Sequence, residues 1–320
     1  MGTPELFWFL FVLFFSIVLF AYFMIRKGFI MASFIYLFNS LGNVSQGVFI
    51  KYYQNAISIG LYELITLKSL IAGLIMLPFA GKQLLKFKDN IKTLPIVIML
   101  ASLYALDVLT NNIGLKTVPV NTGTLILLLV PLWVILLGRV VLKETKFNVI
   151  NAIAILVCLF AVFLNIKSEI SFSGFNAGYL FLFADSLIIP LGLILQKKFS
   201  DFRPLAYALF TNAVVLGIVS FFISGFNFPE MNIANLKAGF FVALFDLMEF
   251  CAVYVAYKMT DVALLQPIRY TRIVISVILS YFLLHETPTK YQLIAGFLIV
   301  SANAFSLWYS RKYQDNIKRG

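Results

Sequence analysis

At 320 residues, 61% hydrophobic and only 12% charged, with a mean hydropathy of +0.95, the chain lies far outside soluble usage, which is about half apolar and a quarter charged. A soluble enzyme is excluded, and so is a disordered protein, because 34 Phe, 15 Tyr and 3 Trp supply ample apolar side chain for collapse. The net charge of +11 does not signal nucleic acid: the basic residues cluster between apolar runs, as in Arg26 and Lys27 or Lys82, Lys86, Lys88 and Lys92, the pattern of cytoplasmic loops.

Apolar runs fall near residues 5–25, 29–50, 57–80, 93–115, 118–142, 147–166, 176–196, 204–225, 236–257, 261–284 and 289–309. Each is continuous and about twenty residues long, which predicts transmembrane helices rather than the short alternating strands of a barrel. The first run has no basic residue before it and Arg26 and Lys27 after it, so it reads as a retained span with its N-terminus outside, not a signal peptide. With that orientation sixteen Lys/Arg fall on the inner side and five (Lys51, Lys116, Lys167, Lys237, Lys290) on the outer side. That bias places the C-terminus of a multi-pass membrane protein in the cytoplasm. Cys158 and Cys251 lie in apolar runs without redox or metal spacing, and His285 is the only histidine; no cofactor or metal is expected.

Shifting Lys116–Thr145 onto Lys258–Thr287 pairs Val120 with Val262, Leu137 with Leu279, Leu142 with Leu284, Glu144 with Glu286 and Thr145 with Thr287. The same shift places Asp107 on Glu249. Each copy holds five helices, an odd number, so the second enters the bilayer inverted. The expected fold is an all-α integral membrane bundle, a ten-helix five-plus-five inverted repeat with one extra N-terminal helix. Its parts are the extra helix (1–27), two repeats (28–169 and 170–310) and a basic cytoplasmic tail (311–320).

The segments GLKTVPVNTGTLILLLVPLWVILLGRVVLKET (114–145) and LLQPIRYTRIVISVILSYFLLHETPTKYQLIAGFLIVSAN (264–303) resemble the two halves of an EamA-like carrier of the drug/metabolite transporter superfamily. The resemblance covers about residues 29–310 and implies a central cavity walled by the first four helices of each half, with alternating access. Within the superfamily the chain resembles bacterial S-adenosylmethionine uptake transporters. The likeness rests on Glu63 followed by Lys68 and LPF, on QKKF at 196–199, and on PIRYTRIVIS at 267–276. It departs from that type at Lys68, at Arg272 and in its added first helix.

Charges inside the apolar runs mark the candidate site. Glu63, Lys68, Asp107, Asp185, Asp246, Glu249, Arg269 and Arg272 would each cost about 2.5–3.5 kcal/mol against lipid, so they are expected to face one another or water. Asp107 with Asn111, Asp246 with Glu249, and Gln266 with Arg269 and Tyr270 are spaced to share helix faces. Five acids against three bases suit a cationic substrate or carboxylates that take up protons, and an Arg beside Tyr270 suits a substrate carboxylate or a planar ring. Pro131, Pro190 and Pro267 are expected either to kink their helices for packing or to serve as hinge points for rocking, and Glu144 and Glu286 to anchor loops. No GxxxxGK[ST] motif occurs, so the expected function is a secondary transporter of a small polar or amphipathic metabolite, S-adenosylmethionine among the candidates. Two alternatives are a prenyltransferase-like intramembrane enzyme holding Mg²⁺ on Asp246 and Glu249, and a lipid flippase of the same fold.

Overall fold

A computed structural model describes residues 28–85, 93–141, 149–173, 176–199, 204–259, 265–299, 301, 302 and 305. The expected first span, Glu144 and the basic tail lie outside them. Among the described residues there is no strand. The helices are α1 (Gly28–Ile57), α2 (Leu61–Leu85), α3 (Leu94–Thr117), α4 (Val120–Leu127), α5 (Val130–Val141) and α6 (Val149–Ser173). They continue with α7 (Gly178–Lys198), α8 (Leu205–Ile223), α9 (Ile233–Met259), a 3₁₀ turn (Gln266–Tyr270) that runs into α10 (Thr271–Leu284), and α11 (Lys290–Ile299).

Six described segments are long and apolar enough to cross a membrane: Leu61–Gly81, Leu94–Thr117, Val120–Gly138, Gly178–Lys198, Leu205–Ile223 and Ile233–Met259. Large apolar side chains face outward, among them Leu74, Phe79, Phe160, Phe282 and Phe297, the reverse of a soluble surface and what lipid requires. Polar side chains turn inward instead. Asn39, Ser40, Ser45 and Gln46 of α1 are all buried, so α1 spends its polarity on the bundle interior, and its 30 residues read as less apolar than their position warrants. This helix also runs past the expected boundary at 50 to Ile57, because the Lys51 ammonium is not set free in water: it pairs with Glu286 at 2.8 Å.

The expected span 118–142 is divided. Pro131 lacks the N–H that Leu127 would accept, and the chain bridges the gap with tighter bonds from Leu129 N to Ile126 O (3.1 Å) and Leu132 N to Leu129 O (3.0 Å). Pro190 sits inside a helix that stays continuous, while Pro267 opens the 3₁₀ turn.

α1 packs along α9, α3 along α7, α2 along α8, and α4 against α10. At Gly42, where α1 meets α9, an added Cβ would lie 2.8 Å from Glu249 N and 2.8 Å from Phe245 O. Those are backbone atoms that cannot swing aside. Gly42→Ala is therefore expected to push α1 off α9 and to lose about 1–3 kcal/mol of stability, read as a lower unfolding temperature in detergent. An unchanged temperature would mean that the two helices are not held this close.

Candidate functional site

The inward faces of α1, α3, α7 and α9 enclose a chamber of about 440 Å³, within the range of small-molecule sites. One end is walled by Gln46 and Asn111; the other reaches Lys197 and Lys258, in the last turns of α7 and α9. Its walls are striped at helical spacing: Asn39, Asn43 and Gln46 on α1; Tyr104, Asp107 and Asn111 on α3; Asp246, Glu249 and Tyr257 on α9. Such spacing keeps one face polar while the rest of each helix stays apolar.

The deep end centres on Asp246. Its Oδ1 accepts from Lys68 Nζ at 2.8 Å and also from Gln46 Nε2 and the Tyr104 hydroxyl. Lys68 is fully buried, so this carboxylate is its counter-charge in a setting where an unpaired ammonium would be costly. One turn along α9, Glu249 Oε1 accepts from Asn43 Nδ2 at 2.8 Å and lies 3.9 Å from Arg272 Nη2. Arg272 in turn donates to Asn43 Oδ1 (2.6 Å) and Asn39 Oδ1 (2.8 Å), and Asn39 Nδ2 donates to the Glu249 carbonyl at 3.1 Å. Two amides of α1 thus bridge a cation of α10 to an anion of α9.

On the α3 and α7 side Asp185 is fully buried. It accepts from Thr110 Oγ1 at 3.1 Å and Asn111 Nδ2 at 2.9 Å. Nearer Lys258, the Tyr36 and Tyr257 hydroxyls meet at 3.2 Å with their rings stacked. Phe250 packs edge-on to Tyr104 and parallel to Tyr254, and the Lys258 ammonium lies 4.8 Å over the Tyr254 ring.

Of the residues singled out in the sequence, Asp107, Asn111, Asp246, Glu249 and Arg269 line the chamber. Lys68, Asp185 and Arg272 stand behind the wall and hold lining residues in place. Glu63 is not brought there. α2 begins at Leu61, so Glu63 lies in its first turn, where it accepts from the Gly60 N–H at 3.3 Å and meets the positive end of the helix dipole. Tyr270 is also elsewhere: it is buried in an apolar cluster with Val120, Leu125 and Cys158, because adjacent residues in a 3₁₀ turn point about a third of a turn apart and only Arg269 faces inward. The Gln266 side chain lies outside the described residues. Sequence reasoning passed over Asn39, Asn43, Gln46, Tyr104 and Tyr257; a three-and-four spacing of amides inside an apolar run was the available signal.

The arrangement does not resemble a metal centre. Asp246 and Glu249, the pair spaced for Mg²⁺, already face Lys68 and Arg272, and among the described residues no group of three His, Cys, Asp or Glu is placed to hold a metal. A charge-lined hollow within an apolar shell instead provides a place for a small polar solute.

Comparison with known proteins agrees. A Rickettsia bellii (strain RML369-C) S-adenosylmethionine uptake transporter is 26% identical over 78% of this chain and 85% of its own length. Its counterpart from Rickettsia conorii (strain ATCC VR-613 / Malish 7) is 25% identical over 78% and 84%. A crystal structure covering 86% of this chain and 98% of its own superposes with a TM-score of 0.58 at 17% identity, which shows a shared fold. The model of the EamA-like transporter family matches twice, at residues 30–167 and 176–308. This chain is a multi-pass integral membrane protein and belongs to the EamA-like transporter family.

Proposed function

We propose that the chain is a secondary carrier that takes up S-adenosylmethionine, or a molecule of the same chemistry, by alternating access. The observation that carries this reading is the chamber itself, with carboxylates, one open-faced arginine and an aromatic wall around a single hollow. S-adenosylmethionine presents a sulfonium and an ammonium to acids, a carboxylate to a base and a purine to aromatic rings. The names of the Rickettsia relatives point the same way.

The packing supports a five-plus-five inverted architecture with halves at 28–169 and 170–310, an added span at 1–27 and a tail at 311–320. In that scheme the first helix of each half lies along the third of the other, as α1 with α9 and α3 with α7; second meets second and fourth meets fourth, as α2 with α8 and α4 with α10. With Lys197 and Lys258 on the cytoplasmic side of a bacterial inner membrane, as the basic-residue bias favours, the chamber faces inward. The outer side is then shut above Gln46 by the Lys51–Glu286 pair.

Purified protein in liposomes preloaded with unlabelled S-adenosylmethionine is expected to accumulate the labelled compound. Excess unlabelled compound is expected to suppress that signal more than methionine or adenosine does. Glu249→Gln is expected to abolish the signal while the protein still inserts and elutes as a monodisperse peak, because it removes the counter-charge of Arg272 and an acid from the wall. Exchange of a different solute from a panel, with no exchange of S-adenosylmethionine, would reject this substrate and keep the carrier.

A further inference from the structure

Three buried cations stand at or behind the chamber wall, and the protein itself occupies two of them. Lys68 is held by Asp246 at 2.8 Å; Arg272 donates to Asn39 and Asn43 beside Glu249 and leaves only its Nε unpaired. Arg269 differs. It is 2% exposed, it lines the chamber, and both its Nε and its Nη1 lack a hydrogen-bond partner. Its side chain does reach the Tyr36 hydroxyl, which is already paired with Tyr257.

A guanidinium only donates, and buried N–H groups left unmade cost more than a typical hydrogen bond returns. The group is thus complete only when an acceptor enters the hollow beside it. A planar guanidinium suits carboxylate and phosphate alike, but the rest of the chamber distinguishes them. The lining charges at the deep end are acids, Asp107, Asp246 and Glu249, while Lys197 and Lys258 lie at the opposite end, so the part of a ligand that reaches from Arg269 into the deep end meets negative charge. Among the described residues no ion pair reaches Asp107 or Asp185, which leaves an acidic surface for a positive centre. The two features are separated along the chamber: Tyr257, at the level of Arg269, is eight residues from Glu249 on α9, about 12 Å along the axis at 1.5 Å per residue.

We infer that Arg269 is the receptor for the carboxylate of an amino-acid-type substrate, whose positive centre points deeper, toward Asp107. The inference rests on the substrate reading above and adds which end of the molecule is read and by what. It makes Arg269 a specificity-determining residue, whereas Arg272, one helical turn on, is a positioning residue for Asn39, Asn43 and Glu249.

Calorimetric binding of S-adenosylmethionine and of its decarboxylated counterpart to the purified full-length protein tests it. The wild type is expected to prefer the carboxylated ligand by about tenfold or more, as one charge-assisted contact predicts. Arg269→Gln is expected to bind the two equally, and a Gln variant that keeps the full preference overturns the assignment. Arg269→Lys, which retains the buried charge without the planar fork, covers the case in which the Gln variant does not fold; a reduced preference supports the assignment and an undiminished one overturns it. A substrate-free arm separates the two readings. Acetate is expected to raise the unfolding temperature of the wild type and not of Arg269→Gln, with Arg269→Lys responding less than the wild type, whereas an equal response in all three overturns the anion site. If the wild type binds neither sulfonium compound, the substrate reading fails while the acetate arm still decides Arg269.

Discussion

Lys68→Met is expected to be the most damaging single change in the molecule. Lys68 is fully buried, and its ammonium is the one cation in contact with Asp246 among the described residues, at 2.8 Å. Removing it leaves a carboxylate 8% exposed with only the Gln46 amide and the Tyr104 hydroxyl as donors. Breaking a buried pair from one side costs about 3–5 kcal/mol, chiefly because the remaining charge is uncompensated. A large fall in unfolding temperature and loss of transport follow. The double variant Lys68→Met with Asp246→Asn separates stability from function. It removes both charges yet keeps an acceptor for Gln46 and Tyr104, so most of the stability is expected to return. Transport is expected to stay lost, because an acid of the chamber wall is gone. Thermal unfolding and liposome exchange on the three proteins decide it. A single variant as stable as the wild type would mean that Asp246 is not confined as the structure has it, and a double variant that transports would remove Asp246 from the site.

The bundle was legible in the sequence because hydrophobic spans are a length signal: about twenty consecutive apolar residues leave helix as the only backbone arrangement that satisfies itself in lipid. Even the break at Leu128 and Leu129 was visible as Pro131. Boundaries are harder to read where a charge stands at the edge of an apolar run. Lys51 did not end α1, since Glu286, brought from 235 residues away, supplies its partner; Glu63 was placed too deep, since α2 starts only at Leu61. The candidate site was half legible. Cost against lipid identified the acids and bases, but pairing is decided by helix packing, and Lys68 and Asp246 are 178 residues apart. Spacing arguments held for Asp107 with Asn111 and for Asp246 with Glu249, which lie on regular helix. They failed for Tyr270, where Pro267 opens a 3₁₀ turn and adjacency does not mean a common face. The amide stripe of α1 escaped because uncharged polar residues carry little weight in an argument built on charge, although Asn39 and Asn43 do as much as any acid to fix Arg272.

Glu286→Gln is expected to loosen the outer closure without disturbing the chamber. In the wild type one carboxylate joins three elements. Its Oε1 takes Lys51 Nζ at 2.8 Å, and its Oε2 takes the Val120 N–H at 2.9 Å; the same ammonium also donates to the Val118 carbonyl at 3.0 Å. The chain reaches this position through His285, whose left-handed φ of 57° lets the Glu286 N–H bond back to Ser280 O at 3.1 Å and turns the side chain toward α1. Glutamine keeps an acceptor for Val120 and loses the charge that holds Lys51, so the substitution isolates the ion pair. With both side chains 18% exposed, the pair is only partly screened, and its loss is expected to shift the balance of the two access states by about 1–1.5 kcal/mol, on the order of tenfold. A cysteine in place of Asn111, at the deep end of the chamber, reports that shift. In a variant with Cys158 and Cys251 replaced, a membrane-impermeant thiol reagent added from the outer face is expected to label it about tenfold faster when Glu286→Gln is present. Lys51→Gln is expected to act in the same direction, and the two together no more than either alone, because both changes break one contact. Equal labelling rates in all four proteins would remove this contact as the outer closure and leave alternating access to be carried by other parts of the bundle.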